Sequence, residues 1–193
     1  AMDWLAGAGA TPRGIAEAML QGATGIQVGT LFAFCDESGI DPSLRARVLT
    51  QVQSGTARVL TDPLASPTGF PFKVVQVETT LSERAVYEAR ERRCDLGYLR
   101  ELYRRGDGTI GYRCPGEPVD DYVRKGGDVA STGGRKCVCN GLLGTIGLGQ
   151  RRGDATEPAI LTAGTGLADV AALLDGRASY SAAASSAKPH QVR

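Results

Sequence analysis

Residues 4–30, WLAGAGATPRGIAEAMLQGATGIQVGT, decide how this chain is read. Trp4 to Ala6 is a short apolar run closed by Gly7, the pattern of a buried strand meeting a turn. Thr11 can cap a helix through its hydroxyl, and Pro12 suits the first helical position because its missing N–H would be unpaired there anyway. Ile15, Met19 and Gly22 then share one row with Ala16 and Leu20 beside it, which predicts an amphipathic helix with an apolar face. Gly22 ends that helix, and residues 25–30 follow as a compact strand marked off by Gly29. Strand, helix, strand at this spacing is a βα unit of a parallel sheet. Parallel strands are buried on both faces, so the unit calls for neighbours.

Outward from this stretch, Asp41-Pro42 opens a second helix with Leu44, Val48, Leu49 and Val52 on its buried side, and Gly55 stops it. The proline-rich residues 61–72 predict an extended ordered loop. A strand is expected over Phe72 to Val77, and a helix beginning near Thr80 or Ser82. On that helix Arg84, Arg90, Arg92 and Arg93 interleave with Glu83, Glu88 and Glu91 as a solvated face. Residues 94–140 read as irregular, with an Asp107-Gly108 turn. Leu142 to Leu148 reads as a short helix, Ala159 to Ala163 as a strand and Gly166 to Leu174 as a helix.

Composition narrows the function classes. The chain has 193 residues, 42% of them hydrophobic, and a net charge of +1. It can bury a sizeable core and is not a nucleic-acid-binding tail. No apolar run reaches the ~18–20 residues of a membrane helix, and no signal-peptide pattern opens the chain, so a cytoplasmic protein is expected. Five cysteines, at 35, 94, 114, 137 and 139, are an odd set that favours free thiols over a disulfide framework. Cys137 and Cys139 lack the gap usual in zinc knuckles, so no metal site is assigned, and burial as small side chains is the simpler role. The one histidine, His190, lies in a Ser/Ala-rich stretch expected to be disordered, which leaves no fixed histidine base.

Glycine-containing turns follow both strands of the first unit, at Gly7-Ala8-Gly9 and at Gly29-Thr30. Loops after parallel strands meet at the carboxyl end of a sheet, where backbone N–H groups receive anions. In (β/α)8 barrels the last two such loops often bind a phosphate.

Residues 5–7 and 10–12, the alanine-rich helix and residues 22–35 together resemble the last two strands of the nitronate monooxygenase family, also called 2-nitropropane dioxygenases. Residues 61–73 (TDPLASPTGFPFK), 93–99 (RCDLGYL), 112–115 (YRCP) and 135–143 (RKCVCNGLL) are similar to the extended C-terminal region of one branch of it. The likeness runs from about residue 4 to residue 180. It implies an α/β fold: the last two βα units of a TIM-type (β/α)8 barrel, with an irregular α+β extension over the barrel face. The implied segments are 1–60 for the barrel units and following helix, 61–180 for the extension and 181–193 for a disordered tail. A full barrel needs eight units and about 250 residues, so the chain is expected to be an incomplete barrel. The other six strands and the family's catalytic histidine would precede Ala1.

The same resemblance implies an FMN-dependent oxidoreductase that denitrifies nitronates or nitroalkanes with dioxygen. Gly7 and Ala8 would give backbone donors to the FMN phosphate, and Gln27, Gly29 and Thr30 would complete the pocket. The family usually has a glycine pair where this chain has Gly7-Ala8. No residue takes the base role, and Tyr98, Tyr112 and Cys114 are candidates for lid or pocket positions, with packing their commoner use. Two rival readings remain: an NAD(P)H-dependent flavin reductase of the enoyl-acyl-carrier kind, and an inactive fragment without bound cofactor.

Overall fold

Thr11 and Pro12 begin the first helix as their chemistry dictates. In the computed structural model, which describes residues 3–6 and 11–182, the Thr11 hydroxyl accepts from Gly14 N–H at 3.1 Å and Pro12 is the first helical residue. Strand β1 (Trp4–Ala6) leads to helix α1 (Pro12–Leu20) and then to strand β2 (Gly25–Gln27). Gly22, at φ 84°, makes the left-handed turn that releases the helix, and Ala23 N–H closes it on the Ala18 carbonyl. β1 and β2 pair in parallel with Trp4 opposite Gly25, Leu5 opposite Ile26 and Ala6 opposite Gln27.

The apolar face of α1 departs from expectation. Only Ala18 is buried, whereas Met19 and Leu20 are 68% and 88% exposed. Among the described residues, β1 has β2 as its strand partner, and a two-stranded pair cannot cover a helix face of that width.

A short helix α2 (Thr30–Ala33) precedes α3 (Pro42–Gln53), whose cap Asp41 accepts from the N–H groups of Ser43 and Leu44. Leu44, Val48, Leu49 and Val52 of α3 are all buried, the four positions its spacing selects.

The chain divides into two compact units, residues 1–59 with 163–193, and residues 60–162. Among the described residues, 163–182 group with the first unit.

In the second unit β3 (Val59–Asp62) pairs with β4 (Phe72–Val75), so the stretch expected to be only loop is entered through a strand. Helix α4 is short (Arg84–Ala89) because Thr80 and Ser82 fold back on Val77 instead of capping a helix. β5 (Glu101–Arg104) and β6 (Ile110–Arg113) form an antiparallel hairpin around the Asp107-Gly108 turn, inside a region expected to be irregular. Helices α5 (Val119–Arg124) and α6 (Val138–Thr145) follow, then the two-residue pair β7 (Arg151–Arg152) and β8 (Ala155–Thr156).

The core of this unit joins Ala65, Val74, Leu81 and Ile160, with Phe72 against it. Residues 159–161 run extended between β4 and α6: Val75 N–H bonds the Leu161 carbonyl and Ile160 N–H bonds the Gly141 carbonyl. A Cβ on Gly141 would lie 2.6 Å from Ile160, so glycine lets α6 approach this closely.

The chain returns to the first unit through a 3-10 turn (Thr165–Asp169) and helix α7 (Val170–Leu174). α7 packs on α3, and Phe34, Val48, Leu49, Leu167, Val170 and Leu174 make the buried centre of this unit. Its core thus sits among helices.

Candidate functional site

The parallel register of β1 and β2 fixes where a ligand would meet the first unit. Because Ala6 lies opposite Gln27, the segments after both strands leave from the same end of the pair. Gly7 and Ala8, expected to donate to a phosphate, lie outside the described residues, as do Gly9 and His190. Gln27, Gly29 and Thr30 are described, and the chain brings all three to the end of β2: Gln27 ends the strand, Gly29 caps α2 and Thr30 is its first residue.

Gln27 also lines an open cavity of about 480 Å³ together with Trp4, Ile26, Val28 and Phe32. Its walls are aromatic and aliphatic with one amide, the composition that suits a flat ring carrying polar edges. The Trp4 ring lies over Gly25, where a Cβ would come within 2.6 Å of it. Among the described residues nothing lies within 4 Å of the place a Cβ would take on Gly29. Thr30 Oγ1 accepts from Gly164 N–H at 2.8 Å, which leaves the hydroxyl proton free to point elsewhere. With four residues, α2 adds little dipole, so an anion would be held by individual donors.

The other expected positions fall in the second unit and do not form one group. Tyr98 is 77% exposed, Tyr112 lies under the Arg100 guanidinium at 5.4 Å, and Cys114 is buried, its thiol pushed up to about 11 mainly by desolvation. Side chains of Arg93, Cys94, Asp95, Arg100, Glu117 and Lys125 help to line a polar cavity of about 360 Å³ that sequence reading missed. Glu117 is buried there and takes both its oxygens to Lys125 Nζ at 2.9 Å. The Arg93-Cys94-Asp95 run was visible in the sequence, but no spacing rule links it to Lys125.

The expected solvated face of the Arg84–Arg93 run needs correction. Arg84 is exposed, but Arg90 is buried against Glu157 at 2.5 Å with side-chain exposures of 4% and 3%. Arg92 bonds the Tyr87 hydroxyl and the carbonyls of Pro115 and Thr132. Glu157, Pro115 and Thr132 are remote in sequence from these arginines, which a helix-face argument does not register.

No helix of the described residues is long and apolar enough to cross a membrane. No protein-family model, curated protein or solved structure matches this chain.

Proposed function

We propose that the ends of β1 and β2 form the phosphate end of an FMN site, in a cytoplasmic oxidoreductase of the nitronate monooxygenase kind acting on nitronates or nitroalkanes with dioxygen. The observation that carries this reading is the parallel pairing of Ala6 with Gln27, which sends both following segments to one end of the pair. That is where phosphates are received in (β/α) barrels and open α/β sheets.

The described residues fit such a group. Gly29 offers a backbone approach that no side chain of the described residues blocks, Thr30 a hydroxyl proton, and Gln27 an exposed amide at the cavity wall. Trp4 and Phe32 give that wall apolar area against which a planar ring can rest and from which water is displaced. FMN, when bound, supplies the redox chemistry, while the chain's part is to position it. No described residue is assigned as the base.

A second reading, that this chain alone holds FMN weakly and turns nothing over, is favoured by exposure of the same unit. Trp4 and Phe32 are 63% and 53% exposed, and Leu5 and Ile15 are exposed as well. Walls this open exclude little water, and hydrogen bonds to a phosphate are weaker where water competes.

Anaerobic rapid mixing of the FMN-supplemented chain separates the readings. Bleaching of the flavin by propyl-2-nitronate, with NADPH inert, supports the monooxygenase reading. Bleaching by NADPH overturns it in favour of the flavin reductase. Free-flavin behaviour with both supports the second reading.

A further inference from the structure

The polar cavity of the second unit is lined by three cations, Arg93, Arg100 and Lys125, and by the carboxylates of Asp95, Glu117 and Asp121. Each carboxylate already has a cation. Glu117 takes Lys125 with both oxygens, Asp121 takes Arg124, and Asp95 takes Arg152 and the Asn140 amide. Arg93 is held by Glu91 in an exposed pair, which water screens and a ligand can displace. Arg100 is the charge left over: among the described residues its guanidinium meets a backbone carbonyl and an aromatic ring, and no carboxylate.

The fold nevertheless fixes Arg100. It leads into β5, and the hairpin register places Leu102 opposite Tyr112, so the guanidinium crosses to the Tyr112 ring at 5.4 Å. Its Nε donates to the Gly97 carbonyl at 3.0 Å. Gly97 makes a left-handed turn at φ 68° and has no Cβ to run into the guanidinium. The two terminal nitrogens take no acceptor among the described residues, so their N–H groups remain to be used. A planar fork held in this way loses little freedom when it takes an oxyanion in two parallel hydrogen bonds.

We propose that this cavity binds a small molecule through a terminal oxyanion, a carboxylate or a phosphate, held by the Arg100 fork with Arg93 as the second cation of the wall. A volume of about 360 Å³ lies at the small end of ligand cavities. Cys94, half-buried, lines the same cavity, so a ligand seated there shares the space onto which its thiol opens. Desolvation and the charge of Glu117 push this thiol up, with Arg100 acting against them. Cys94 is therefore a reporter of occupancy, not a nucleophile towards the ligand. The inference concerns the second unit alone and does not depend on the flavin reading.

Alkylation of Cys94 in the full chain, resolved by peptide mass spectrometry, tests this. Iodoacetate brings a carboxylate to the thiol and iodoacetamide does not; in both, sulfur bonds the methylene carbon, iodide leaves and the thiol proton passes to solvent. The iodoacetate-to-iodoacetamide rate ratio at Cys94 should exceed that of free mercaptoethanol by about tenfold or more. It should fall to the mercaptoethanol ratio in R100Q, and part of the way in R100K, which keeps the charge without the fork. Should the variants fail to fold, the unsubstituted chain decides. Inorganic phosphate or succinate should slow iodoacetamide at Cys94 saturably where chloride at equal ionic strength does not, and the anion with the lower midpoint names the oxyanion. A ratio at Cys94 equal to that of mercaptoethanol, a ratio unchanged in R100Q, or protection by neither anion would overturn the proposal. So would a Cys94 that neither reagent reaches, since the cavity would then admit no ligand.

Discussion

Thr30 Oγ1 accepts a hydrogen bond from the backbone N–H of Gly164 at 2.8 Å, so the residue that opens α2 is tied to the segment preceding α7. Replacing Thr30 by valine keeps the shape and strands that N–H. We expect a loss of about 1 kcal/mol, read from urea unfolding, with T30S close to the original. An unchanged T30V midpoint would mean that the bond does not hold this segment.

Among the described residues, Arg90 and Glu157 are the most deeply buried ion pair, at 4% and 3% side-chain exposure. Removing one partner leaves a buried charge, for which a cost of about 3–5 kcal/mol is usual. E157A should therefore destabilise the second unit strongly. R90M/E157L should recover most of the loss, because replacing both partners removes the uncompensated charge. A double variant no better than E157A would contradict this account of the pair.

Much of this was legible in the sequence where chemistry is local. Thr11-Pro12 and Asp41-Pro42 announce their helices through their own side chains, and Leu44, Val48, Leu49 and Val52 follow from helical spacing. The β1–α1–β2 order was readable for the same reason. The β5–β6 hairpin was not, because Leu102 faces Tyr112 and Tyr103 faces Gly111 with no clean alternation of apolar and polar residues. Arg90 was misread because its partner lies 67 residues away. Of the candidate site, Gln27, Gly29 and Thr30 were readable as a strand end, whereas the cavity wall formed with Trp4 depends on strand pairing.

Acid should unfold the second unit through Asp62. Burial alone would raise its carboxyl, but the hydrogen bond and charge of Lys136 and the N–H groups of Leu64 and Ala65 hold it below the usual range. A depressed folded value means the contribution is full above the unfolded pKa of ~3.9. It is lost as pH falls through the lower folded value. D62N should lower stability at neutral pH and flatten its dependence in that acid window, as followed by circular dichroism. A D62N profile parallel to the original would rule Asp62 out as the titrating group.

Asp41 caps α3, accepting from Ser43 N–H at 2.9 Å and from Leu44 N–H at 3.1 Å. D41A should cost about 1 kcal/mol, and D41S or D41N much less. Equal losses for alanine and serine, in thermal unfolding, would show that the cap does not set the stability of α3.

The central claim is that the ends of β1 and β2 receive a phosphate, and the most direct measurement compares FMN with riboflavin, which lacks it. Titrations of the full chain should show FMN bound more tightly by tenfold or more, worth about 1.4 kcal/mol. That preference should shrink in T30V, with quenching of the single tryptophan, Trp4, reporting occupancy. Equal affinity for FMN and riboflavin, or binding of FMN that leaves Trp4 emission untouched, would contradict the account.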